Sequence, residues 1–160
     1  MPQSRRSLII LAMFSLLAAA TSMAQATGSL YAEKHGIVRK ALEQQGTAGD
    51  AESVLAGVAD AHALLDLSLG ADPGGAALTI RVAGQPNPHV FMLDDGRRLV
   101  LDLKNTINLR AEKTLEPDTG GLVNAVRTSL FELRPHFVSR VVLDLTSPCT
   151  FELNTDRKSV

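Results

Sequence analysis

The sequence predicts an all-β fold, a β-sandwich of two similar small sheets, preceded by a signal peptide and a short helical segment. Three observations carry this. A six-residue phrase occurs twice, as Arg98-Leu99-Val100-Leu101-Asp102-Leu103 and as Arg140-Val141-Val142-Leu143-Asp144-Leu145, 42 positions apart (140 − 98). Residues 64–154 break into short β-type runs divided by Pro, Gly and Asp-Gly turn signals, the pattern of a sandwich. The first 26 residues have the three-part build of an export signal.

Arg5 and Arg6 are the charged start of that signal, and residues 8–20 are its apolar stretch, interrupted by Ser15. Ala24-Gln25-Ala26 fits the small-x-small rule, which places cleavage after Ala26. The apolar stretch is shorter than the roughly 20 residues of a bilayer span. Its strongly apolar character favours the general secretory route over the twin-arginine route that Arg5-Arg6 also suggests. The expected location is the periplasm, with no membrane span after cleavage. Removal of 1–26 leaves 134 of the 160 residues, enough for one domain with a core. It also removes two arginines and no acid, so the net charge falls from −1 to −3. A mildly acidic chain gives no support to nucleic-acid binding. Cys149 stands alone and cannot form an internal disulfide, so burial as a small apolar side chain is expected.

Residues 27–63 read as a helical or poorly ordered segment. Over 29–45, Leu30, Ile37, Val38, Ala41 and Leu42 fall near one helix face. Gly36 weakens that helix by up to about 1 kcal/mol. Residues 46–49 are linker-like, and 50–63 fit a helix capped by Asp50 or a short strand. From residue 64 the period becomes two. Leu65, Leu67 and Leu69 alternate with polar residues, Asp72-Pro73-Gly74-Gly75 turns the chain, and Leu78, Ile80 and Val82 return as a hairpin that Gly84 ends. His89–Leu93 is the next strand, joined through Asp94-Asp95-Gly96 to the first copy of the phrase. There Leu99, Leu101 and Leu103 share one face and Val100 and Asp102 the other. Residues 105–122 read as irregular. Strands are expected over 123–131, over the second copy at 138–145, and over 150–154, giving a sandwich domain of 64–160.

These pieces resemble the AMIN domain. The resemblance rests on Gly84, the first phrase at 98–103, Val123-Asn124-Ala125-Val126-Arg127, and the second phrase at 140–145, in that order, and covers about 64–154. The family stands at the N-terminus of exported N-acetylmuramoyl-L-alanine amidases and of type IV pilus secretins. The resemblance implies a two-sheet sandwich that binds peptidoglycan, localises its host protein and is not an enzyme. Family members usually continue with a further strand and an effector domain, whereas fifteen residues follow Leu145 here.

Arg127 and Arg140 are the candidate partners of stem-peptide carboxylates, because guanidinium groups bind carboxylates through two parallel hydrogen bonds. Asp102 and Asp144 are candidate acceptors for sugar hydroxyls, although a solvent-facing or Arg-paired aspartate is the simpler explanation of each. Arg98, beside a turn, reads as a sheet-edge charge. There is no Trp, and Tyr31 lies outside the sandwich, so stacking on sugars falls to Phe91, Phe131, Phe137 or Phe151, residues more common in cores. The four histidines lack metal-site spacing, and Cys149 lacks a His partner. No catalytic residue, metal site or cofactor is expected.

The leading expectation is therefore a noncatalytic exported module that binds peptidoglycan and assists division, pilus or secretion machinery. The alternatives are a docking module of an envelope protein complex, using the 29–45 helix or a sheet edge, and the truncated N-terminus of a zinc amidase or secretin.

Overall fold

The computed structural model describes residues 6–15, 23–46, 49–117 and 121–158. Its ten strands are β1 (Ser7–Ser15), β2 (His62–Asp72), β3 (Gly75–Ala83), β4 (Pro88–Leu93), β5 (Arg98–Lys104), β6 (Thr106–Asn108), β7 (Thr114–Leu115), β8 (Val123–Glu132), β9 (Val138–Leu145) and β10 (Thr150–Lys158). The helices are α1 (Met23–Gln45) and α2 (Ala51–Ala56). The strands form two five-stranded sheets, β10-β1-β3-β2-β6 and β4-β5-β9-β8-β7. The expected sandwich of two similar sheets is what folds.

The core lies between the sheets. Leu99, Leu101 and Leu103 of β5 meet Val141, Leu143 and Leu145 of β9 on one side, and Leu78, Ile80 and Val82 of β3 face them from the other. The leucine face of each phrase points inward, as period two requires. In β2 the register shifts between Leu64 and Asp66. Leu64 therefore takes the buried place that simple alternation gives to Leu65, and Leu65 is left half-buried. The segment 105–122, expected to be irregular, contributes β6 and β7. All three residues of β6 are buried, because this edge strand pairs with β2 and is covered by α1, β8 and β9.

The expected apolar stretch of the signal peptide is a strand over part of its length; residues 16–20 lie outside the described residues. β1 sits between β3 and β10 and runs parallel to both. Leu8, Ile10, Ala12 and Phe14 are at most 3% exposed, while Leu11 on the opposite face is 37% exposed. A continuous apolar run serves equally as a signal core or as a buried strand, and hydropathy alone does not separate the two. Gly75 makes room for β1: a Cβ there would stand 1.7 Å from the Ser7 carbonyl oxygen. The expected cleavage point after Ala26 falls within α1.

α1 and α2 close one end of the sandwich. Val38 and Leu42 of α1, Val54 of α2 and Val58 pack with Ile107, Leu133 and Phe137 in a second apolar cluster. Lys34 is drawn in beside them, and its ammonium donates to the Ala61 carbonyl at 2.6 Å. Burial pulls the Lys34 pKa down, against a smaller upward pull from Asp60.

Gly84 ends β3 with φ +104, and a Cβ there would meet His62 Nδ1 at 2.0 Å. Gly84→Ala should therefore cost about 1–3 kcal/mol, from the strained backbone and from displacing His62. Urea unfolding checks this, and a midpoint equal to that of the parent chain would contradict it.

Candidate functional site: the outward face of the second sheet

The two copies of the repeated phrase are neighbouring antiparallel strands, β5 and β9, with Val100 opposite Val142. Within each copy the Arg precedes the Asp by four positions. Antiparallel pairing about the central valines therefore sets Arg98 opposite Asp144 and Asp102 opposite Arg140. The phrase is self-complementary: two copies zipped together place each guanidinium beside the other copy's carboxylate.

Both crosswise pairs form. Arg140 donates to both Asp102 oxygens, from Nε at 2.7 Å and from Nη2 at 2.9 Å. This pair is largely covered, with the Arg140 side chain 23% and the Asp102 side chain 15% exposed. The hydrogen bonds to Asp102 raise the Arg140 pKa further above its ordinary value, so the guanidinium is permanently charged. Asp144 is shared. Arg98 Nε donates to Oδ1 at 3.0 Å, and Arg127 of β8 donates from Nε to Oδ2 at 3.1 Å. Arg98 also reaches Asp94 in the turn before β5, at 2.9 Å.

The four residues expected to bind ligand, Asp102, Arg127, Arg140 and Asp144, thus lie together on one outward face. Two arginines sit differently from a simple reading of the face. Arg140 is engaged by Asp102 on two of its nitrogens. Arg98 is not a sheet-edge charge, because β5 lies inside the sheet between β4 and β9. On this face the arginines most open to solvent are Arg127, 50% exposed, and Arg98, 40% exposed.

Aromatic rings join the face. The Arg140 guanidinium lies 3.5 Å from the Phe131 ring centroid and 5.8 Å from that of Phe91, and His89 stacks obliquely on Phe91 at 5.3 Å. Phe131 is 47% exposed, so it is not the core residue its type suggests; Phe137 is buried, and Phe151 is exposed on β10. A flat, half-open ring backed by a guanidinium is a stacking surface. The sequence offers Phe91 and Phe131 as stacking residues but not their contact with Arg140, because that contact joins β4, β8 and β9. The readable signal was Phe131 in phase with Arg127, four positions earlier on the same strand.

Among the described residues, no group of three or more His, Cys, Asp or Glu side chains could hold a metal ion. Cys149 is half-buried rather than buried, packed against the main core, and burial raises its pKa away from thiolate reactivity.

Residues 66–160 match the family model of the AMIN domain. The chain belongs to the AMIN-domain family. No curated protein and no solved structure matches it significantly. AMIN domains are noncatalytic modules of envelope proteins that bind peptidoglycan and localise amidases and secretins. The AMIN match covers strands of both sheets and starts within β2, so α1, α2 and β1 lie outside it. No helix among the described residues is long and apolar enough to cross a membrane.

Proposed function

We propose that this chain is an exported, noncatalytic module that binds peptidoglycan in the periplasm through the outward face of its second sheet. The observation that supports this most is one outward face that gathers Arg98 and Arg127 at Asp144 and sets Arg140 against the half-open Phe131 ring. Stem peptides offer carboxylates to guanidinium groups, and glycan rings offer apolar faces to an aromatic surface. Arg127 is the main carboxylate partner in this reading, and Arg140 supports the ring. Asp102 and Asp144 hold the arginines in place and offer their remaining lone pairs to hydroxyls. In this reading residues 1–26 are a signal peptide removed by the general secretory machinery, so β1 leaves with them. The division, pilus or secretion machinery served is a further part of the proposal.

Sedimentation with purified sacculi tests the binding. The protein should pellet with sacculi and stay in solution without them, and failure to pellet would end the reading. Arg127→Ala should weaken pelleting several-fold while shifting Tm by no more than a few degrees, because an exposed ion pair contributes about 0–1 kcal/mol. The mass of the periplasmic protein tests the leader: the mature chain should begin at Thr27.

The alternative docking role through the 29–45 helix has less support, since Val38 and Leu42 of that helix are already buried against the sandwich. The truncated-amidase alternative predicts a zinc-hydrolase domain encoded in frame past Val160, and sequencing of the gene decides it.

A further inference from the structure

Between α1, the segment that follows β6, and β8 lies a pocket of about 630 Å³, separate from the outward face described above. Three cations line it, Lys40 from α1 and Arg110 and Lys113 from the segment, and no carboxylate does. Three buried polar atoms of its lining residues have no hydrogen-bond partner: Asn108 Nδ2, Arg110 Nη1 and Thr128 Oγ1. Asn108 is 0% and Thr128 4% exposed, and the Arg110 side chain is 9% exposed. Buried donors in folded proteins are nearly always paired, so three around one pocket mark a place where an acceptor belongs.

The existing contacts do not supply that acceptor. Asn108 spends its Oδ1 on the backbone N–H of Arg110, at 3.0 Å, which leaves the amide nitrogen as a donor. The nearest carboxylate to Arg110 is Asp66, with Nε and Oδ1 3.9 Å apart, too far for a hydrogen bond. The Lys113 ammonium donates to the Arg110 carbonyl. Lys113 has a lowered pKa, through burial first and the like charge of Arg110 second, as expected of neighbouring cations. The remaining wall is aliphatic, from Ile37, Leu109 and Leu130. A bare inorganic anion would leave that wall and most of the volume unused.

We propose that this pocket binds the terminal carboxylate of a short peptide with small aliphatic side chains. The carboxylate accepts from Arg110, Asn108 and Thr128, and the aliphatic body lies against Ile37, Leu109 and Leu130. The choice of a D-alanyl probe rests on the peptidoglycan reading; the carboxylate site itself does not, because its donors, Asn108, Arg110 and Thr128, are none of the residues assigned to sacculus binding.

The test titrates the full chain with N-acetyl-D-alanyl-D-alanine, with the corresponding C-terminal amide, and with inorganic phosphate, by calorimetry and backbone-amide NMR. The acid should bind one to one and shift the amides of residues 108–113 and 128–130. The amide should bind at least about tenfold more weakly, because it cannot offer two anionic oxygens to the guanidinium. Arg110→Met should weaken the acid to a similar degree, and Arg81→Gln, on an exposed position of β3, should not. If Arg110→Met fails to fold, Lys40→Gln at the solvent-exposed rim serves instead and should also weaken the acid. Equal binding of acid and amide, no binding of either, or phosphate binding as tightly as the peptide would each overturn the proposal. A chain that binds the acid but does not pellet with sacculi loses the peptidoglycan function and keeps this site.

Discussion

A chain that starts at Thr27, the mature form in the proposed reading, should be less stable than the 160-residue chain, with Tm lower by about 20 °C, and should still unfold in a cooperative transition. The reason is the place of β1. It is the second strand of the first sheet, hydrogen-bonded on both sides, and it brings Leu8, Ile10 and Phe14 into the main core. Full burial of a side chain of that size contributes roughly 1.5–3 kcal/mol. Three of them approach the roughly 5–15 kcal/mol by which a whole domain is stable. Ile10→Asp in the full chain should produce a loss of the same kind, because it sets a carboxylate at a position that is 0% exposed. Thermal unfolding followed by circular dichroism measures both. A shortened chain within a few degrees of the full chain would show that β1 adds nothing that β3 and β10 cannot restore by pairing with each other.

The direction of β1 sharpens that expectation. In the second sheet the corresponding place is held by β5, which is antiparallel to both of its neighbours. β1 is parallel to both of its own. The two sheets thus match in strand count and differ in the sense of this one strand. β3 and β10 run in the same direction, as both are parallel to β1, so direct contact between them would be a parallel pair. Hydrogen exchange follows the change: amides of β3 and β10 that are protected in the full chain should exchange faster in the shortened one.

Much of the sandwich was legible because short amphipathic strands write their period into the sequence. The leucine faces of 98–103 and 140–145, the Asp72–Gly75 turn and the Asp94–Gly96 turn all follow from local rules. At the second turn Asp94, Asp95 and Gly96 do adopt positive φ. What was not legible depended on partners far along the chain. β6 looks irregular because its three residues are buried by β2 and neighbouring elements rather than by any pattern of their own. The bulge in β2 shifts the inward phase at Leu64, and no local signal announces it. The candidate face was legible in its membership and not in its wiring. Asp102, Asp144, Arg127 and Arg140 could be chosen by residue type and facing. Their crosswise pairing needed the register of β5 against β9, which the four-residue Arg-to-Asp spacing implies once the two copies are laid antiparallel.

Arg140→Ala should be clearly destabilising, by about 2–4 kcal/mol, whereas Arg127→Ala should cost less than about 1 kcal/mol. From the sequence the two arginines look equivalent. The geometry separates them. Arg140 meets Asp102 with two hydrogen bonds in a site where the carboxylate is 15% exposed. Its truncation leaves Asp102 largely desolvated without its partner and strips the Phe131 ring of the guanidinium beneath it. Removal of one member of a covered pair costs far more than the pair contributes, because the remaining charge pays the full desolvation penalty. Arg127 is half exposed, and its carboxylate, Asp144, retains Arg98 when Arg127 is lost. The double variant Asp102→Asn with Arg140→Gln removes both charges and should recover much of the stability lost in Arg140→Ala, since no lone charge remains. Urea unfolding of the three variants measures this. Equal losses for Arg140→Ala and Arg127→Ala would mean that the Asp102 pair behaves as an ordinary surface pair. For sacculus binding the consequence is practical: Arg127→Ala reports on recognition, whereas Arg140→Ala mixes recognition with the folding of the face, and the charge-free double variant is the proper comparison for it.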